Sequence, residues 1–148
     1  MPAPAYTWEF VYDLWGDRIP KIITMEATTG LYTKVGTLLF MTGGQLDNCT
    51  DGTGTMIGLA AEVIDSAATA ADPVRVALIA PGMVIRGTAT ADISGQTGFA
   101  SRLQDIDSDQ RADEGDTTGG FLSVYRVNDD DGLIVDCVVT NFDMTQAV

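Results

Sequence analysis

Apolar residues in this chain recur in short runs with a period of two, and glycine, threonine and aspartate fill the gaps between them. From Lys21 onward such runs occupy residues 21–28, 35–42, 57–64, 74–80, 83–90, 121–127 and 133–142. They are bounded by turn-forming pairs such as Thr29-Gly30 and Gly43-Gly44, and by a polar Gly/Thr/Asp stretch at 48–55. Alternation over four to eight residues between such signals marks β-strands with one buried face. The last two runs flank Asn128-Asp129-Asp130-Asp131-Gly132 and predict a hairpin. Helical pattern is weak. An Ala-rich stretch at 65–72 suits a single turn, and residues 98–107 have modest helical character. The pattern predicts an all-β fold, a small β-barrel or sandwich of short antiparallel strands.

The first twenty residues read differently. Two prolines stand in the first four positions and Pro20 closes the segment. Between them, Trp8, Phe10, Tyr12 and Leu14 alternate, with Trp15 following, so both tryptophans of the chain lie here. One reading is a strand packed on its own core. The other is an extended N-terminal arm, residues 1–20, that anchors on a neighbouring subunit beside a single β domain at 21–148; aromatic side chains suit interface anchors. Trp8, Phe10, Tyr12, Leu14 and Trp15 are therefore interface candidates.

Residues 71–89 contain two apolar runs split by Ala80-Pro81-Gly82. Proline and glycine in that order fit the central positions of a type II turn, so the stretch predicts a hairpin or a corner between strands. Its only candidates for recognition are Arg75 and Arg86, which suit carboxylates across an interface.

Charge and composition narrow the function. There are 21 acids against 8 bases among 148 residues, a net charge of −13. That balance argues against nucleic acid or an anionic membrane as partner. No run approaches a transmembrane helix and residues 1–5 do not resemble a secretion signal, so the expectation is a chain made in a cytoplasm that stays soluble. Histidine is absent. This removes Ser-His and Cys-His dyads and the commonest metal ligand, and the chain is expected not to be an enzyme and to need no cofactor. Cys49 and Cys137 have no metal-site spacing and are expected as reduced thiols, with a disulfide as the alternative.

One segment has a ligand-like spacing. In residues 105–116, Asp105, Asp107, Asp109, Asp113 and Asp116 fall on positions 1, 3, 5, 9 and 12 of a calcium loop. Gln110 stands where that loop places glycine, and position 12 lacks the longer glutamate. The alternative is an exposed acidic loop that aids solubility.

Three stretches carry a resemblance. They are Val35-Gly36-Thr37-Leu38-Leu39-Phe40, Ile57-Gly58-Leu59-Ala60-Ala61-Glu62, and the run from Asp72-Pro73-Val74 to Pro81-Gly82-Met83. In order and texture they resemble the cement, or head-decoration, proteins of tailed bacteriophages. Residues 119–127 and 133–139 are similar to the closing hairpin of those proteins. The resemblance spans residues 30–142 and leaves 98–118 unmatched. It implies a structural protein of the virion, made in the host cytoplasm and seated on the outer capsid surface. Its partner would be the major capsid protein, and it would form a homo-oligomer, a trimer by preference and a dimer next. A different class also fits the composition: a carbohydrate-binding or adhesin-like β module with Trp8, Trp15, Tyr12 and Tyr32 as a stacking platform.

Overall fold

The computed structural model describes residues 3–142. Among these residues, nine strands form two antiparallel sheets. The four-stranded sheet runs β1 (Glu9–Asp13), β7 (Met83–Thr88), β9 (Ile134–Val139), β8 (Leu122–Val127). The five-stranded sheet runs β2 (Ile22–Glu26), β6 (Pro73–Leu78), β5 (Gly58–Ala60), β3 (Leu38–Thr42), β4 (Gln45–Asn48). The sheets are not closed into a barrel, so the architecture is a sandwich. The expected hairpin is β8–β9, paired from Leu122↔Val139 to Val127↔Val135.

Two apolar cores share the five-stranded sheet, because its side chains alternate between faces. Leu38 and Leu59 point toward the four-stranded sheet and meet Ile85, Val124, Val135 and Cys137. Leu39, Met41, Val74 and Val76 point the other way and pack with Ala27, Leu31, Leu46 and Ala68. Ile23 and Met25 of β2 join this second core. Their neighbours Ile22, Thr24 and Glu26 consequently face outward and are exposed.

The turn at residues 80–83 has the expected form. Met83 N–H donates to the Ala80 carbonyl (3.1 Å), and Gly82 takes φ +91°. It is a corner, not a hairpin: β6 belongs to one sheet and β7 to the other.

Three expectations need correction. Residues 3–20 do not form an extended arm, because β1 pairs with β7 as an outer strand of the four-stranded sheet. The Trp8-Phe10-Tyr12-Leu14 alternation fails at a register shift between Phe10 and Tyr12, so these side chains do not share one face. The helical expectations at 65–72 and 98–107 also fail. The only helical element among the described residues is a single 3-10 turn, Ser94–Gln96, and residues 98–104 instead hydrogen-bond along β8. Residues 1–2 and 143–148 of the expected arm and domain lie outside the described residues.

Candidate functional site

Trp8 belongs to the core at 3% exposure. Its ring lies on Gly87, where a Cβ would stand 2.2 Å from the indole. Its Nε1–H donates to the Gln110 carbonyl at 2.7 Å. Phe10 is half-buried against the same core. Tyr12 is half-buried on the outer face of the four-stranded sheet, with the Arg126 guanidinium 5.5 Å from its ring centre. Trp8 is committed to the protein's own core, which corrects its reading as an anchor, while Phe10 and Tyr12 stay half-buried. The same placements break up the expected stacking platform: Trp8 is buried and Tyr12 lies against arginine.

Leu14 and Trp15 behave differently. After β1 the chain crosses from one sheet to the other through residues 14–21, passing over the corner at Pro81-Gly82. Leu14 N–H donates to the Gly82 carbonyl (2.8 Å), and Leu78 N–H donates to the Lys21 carbonyl (2.9 Å), which pins both ends of the crossing. Along it, Leu14 (38% exposed), Trp15 (73%), Ile19 (77%) and Ile22 (54%) leave apolar surface in water. Trp15 is nonetheless held. Its ring sits 2.8 Å from where a Gly82 Cβ would stand, and Arg18 lies 5.6 Å from its centre. Arg18 is itself fixed: it binds both oxygens of Asp13 (2.7 and 2.9 Å) and the Pro81 carbonyl (2.8 Å). Hydrogen bonds from Arg18, supported by the Trp15 N–H, lower the Asp13 carboxyl to about 2. The pair is therefore ionised at any physiological pH. A large aromatic ring held in place and left in water has little conformational entropy to lose on binding, the property of an interface anchor.

The arginine candidates divide. Arg75 is exposed beside Glu62 (3.7 Å). Arg86 is engaged with buried Asp136 (2.8 Å), which also takes Arg126 (3.0 Å). Burial raises the Asp136 pKa, but hydrogen bonds from Arg86, Asn128 and Arg126 outweigh it and hold the group below the usual range. Cross-strand register places Glu9, Arg86, Asp136 and Arg126 in one row over four strands, with charges alternating in sign.

The calcium-loop reading does not survive. Asp107 pairs with Arg111 (2.6 Å) and accepts the Asp109 and Arg111 N–H groups. Asp113 accepts the Gly115 N–H. Of the five, Asp105 and Asp116 join a three-carboxylate cluster whose third member is Asp51, from outside the loop, with the acceptor atoms within 4.8 Å. Asp105 is buried and accepts N–H groups from Gly52 and Ile106; burial, first among the causes, raises its pKa. Gln110, where the sequence lacks the loop glycine, takes φ +66° all the same. Its side chain fills the seam between the sheets: Oε1 accepts the Leu38 N–H (2.7 Å), and Nε2 donates to the Leu38 and Cys49 carbonyls (2.9 Å each).

Cys49 and Cys137 are free and buried, and burial raises both thiols above their ordinary values. The surface concavities are open. The largest of those described, about 500 Å³, lies between Trp8, Val35, Gly87 and Ile134, with Glu9 and Arg86 as its charged members. Compared with known proteins, the chain matches no family model and no curated sequence.

Sequence reasoning missed Ile19, Ile22, Gln110 and Asp51. Ile19 stands beside Pro20, a weak signal for an exposed crossing; Gln110 was marked only as the residue in the loop glycine's place, and nothing local singles out Ile22 or Asp51.

Proposed function

We propose that the protein is a non-enzymatic head-decoration protein of a tailed bacteriophage. It binds the major capsid protein on the outer shell through the crossing at residues 14–19 and reinforces the shell. The observation that carries this reading is Trp15, a tryptophan left in water yet clamped by Arg18 and Gly82. With Leu14 and Ile19 it offers an apolar anchor on a body whose surface is otherwise strongly acidic. Buried apolar area contributes roughly 25 cal/mol per Å² before association costs. Modest affinity per copy becomes large over many copies on one shell. The resemblance of residues 30–142 to the cement proteins supplies the partner, and such a role needs no catalytic group.

Cosedimentation with undecorated capsids tests this reading. Trp15→Ala should stay folded and lose about thirtyfold in affinity, the equivalent of ~2 kcal/mol at an interface hot spot. Unchanged binding by a folded Trp15→Ala variant overturns the reading.

A further inference from the structure

Open sheets have edges, and an uncovered edge is a template for another strand. Three of the four edges here are blunted. β1 has the register shift between Phe10 and Tyr12. β8 is covered by residues 98–104, where the Gly98 and Phe99 N–H groups reach the Tyr125 and Val124 carbonyls (2.9 and 2.8 Å). β4 meets Thr28, whose N–H donates to the Leu46 carbonyl (3.0 Å), and Asn48 Nδ2 donates to the Tyr32 carbonyl (3.0 Å).

The fourth edge, β2, has neither bulge nor internal proline. Lys21 and Ala27 direct their backbone bonds to β6, through Leu78 and Asp72. In an antiparallel pair this direction alternates, so Ile23 and Met25 also bond toward β6. Ile22 and Thr24 then turn their N–H and C=O groups to the side on which they have no backbone partner among the described residues. Beyond Glu26 the edge is closed by the Ala27–Leu46 bridge, so the free stretch is short and centred on Ile23.

We propose that a second copy of this chain occupies this edge, β2 against β2, antiparallel about a twofold axis at Ile23. That register sets Ile22 opposite Thr24 of the partner subunit, and each such pair can exchange two backbone hydrogen bonds. It stops before the blocked end at Glu26. The outward faces of both strands stay on one side, so exposed Ile22 gains a neighbour. Charge favours self-pairing here. Residues 14–26 hold two acids, Asp17 and Glu26, and two bases, Arg18 and Lys21, on a chain of net charge −13. Antiparallel pairing brings each Lys21 toward the end of the opposite strand that carries Glu26, whereas parallel pairing would set like charges together. The inference narrows the expected oligomer to a twofold dimer and does not depend on capsid binding.

Sedimentation velocity of the full chain, from low to high micromolar concentration, tests it. The expected species has twice the 15.7 kDa mass of the chain. Thr24→Pro removes a donor that does not serve β6, and proline is tolerated at such an edge position. It should leave the circular dichroism unchanged and weaken dimerisation at least about tenfold, the scale of one or two lost hydrogen bonds. Should that variant misfold, hydrogen exchange of the unaltered chain decides: the Ile22 and Thr24 amides should slow as concentration rises, while those of β1 do not. A chain that stays monomeric throughout, or a dimer that survives in folded Thr24→Pro or leaves those amides unprotected, overturns the proposal. No capsid enters the experiment, so its failure is distinct from a failure of the decoration reading.

Discussion

The Trp8 indole N–H donates to the main-chain carbonyl of Gln110 across 102 positions of sequence, at 2.7 Å. The same residue's side-chain amide pairs with Leu38 and Cys49, so Gln110 joins the N-terminal strand, β3 and the acidic loop at one buried point. Replacing it with Ala would leave the Leu38 N–H and the Cys49 carbonyl without this partner. Each buried group so orphaned costs ~1–3 kcal/mol. Urea denaturation of Gln110→Ala should therefore show a loss of about 3 kcal/mol or more, with Gln110→Glu no better, since its Oε2 would face two carbonyl oxygens.

The two tryptophans should separate cleanly in stability measurements. Trp8→Ala removes a buried ring and should cost ~3–5 kcal/mol. Trp15→Ala should cost less than ~1 kcal/mol, because most of its ring is already in water. Equal losses in thermal or urea unfolding would contradict the assignment of Trp8 to the core and Trp15 to the surface.

Gly87 is a second test of the Trp8 seat. A methyl group there would collide with the indole, so Gly87→Ala should destabilise by ~1–3 kcal/mol, the range for overpacking. The penalty should shrink in a Trp8→Leu background, and a double-mutant cycle measures that coupling.

Asp105 and Asp136 should give opposite pH signatures. The folded pKa of Asp105 is raised, so its folded form binds a proton more tightly than the unfolded chain does. Its contribution is favourable in acid and is lost as pH rises through the folded pKa. The melting temperature of Asp105→Asn relative to the parent should thus improve from pH 4 toward pH 7. Asp136 is lowered, so its stabilisation is present above the ordinary carboxylate range and is lost as pH falls through its folded pKa. Arg86→Ala should be costly at neutral pH and should cost less in strong acid, where Asp136 is protonated.

Chelation should leave the melting temperature unchanged, because Asp107 is paired with Arg111 and Asp113 with the Gly115 N–H. A fall with chelator that calcium restores and magnesium does not would assign a cation to Asp51, Asp105 and Asp116.

Period-two alternation and glycine-bounded turns were enough to predict an all-β chain, the β8–β9 hairpin and the turn at Pro81-Gly82, because these follow from local steric preferences. Absent histidine and the acidic balance were equally plain in composition. Which tryptophan is buried was not. Trp8 and Trp15 share a segment and a chemistry, and only the pairing of β1 with β7 carries one onto Gly87 and the other to the corner. The acidic loop shows the same limit. Regular spacing of aspartates along the chain put five in one pattern. The folded backbone spends Asp107 and Asp113 on local turns and brings Asp51 from a distant strand connection instead. Alternation also marked one face of β2 as apolar. That its other face and its outer edge stay uncovered by the described residues depends on where the remaining strands pack, a long-range property that no local pattern encodes.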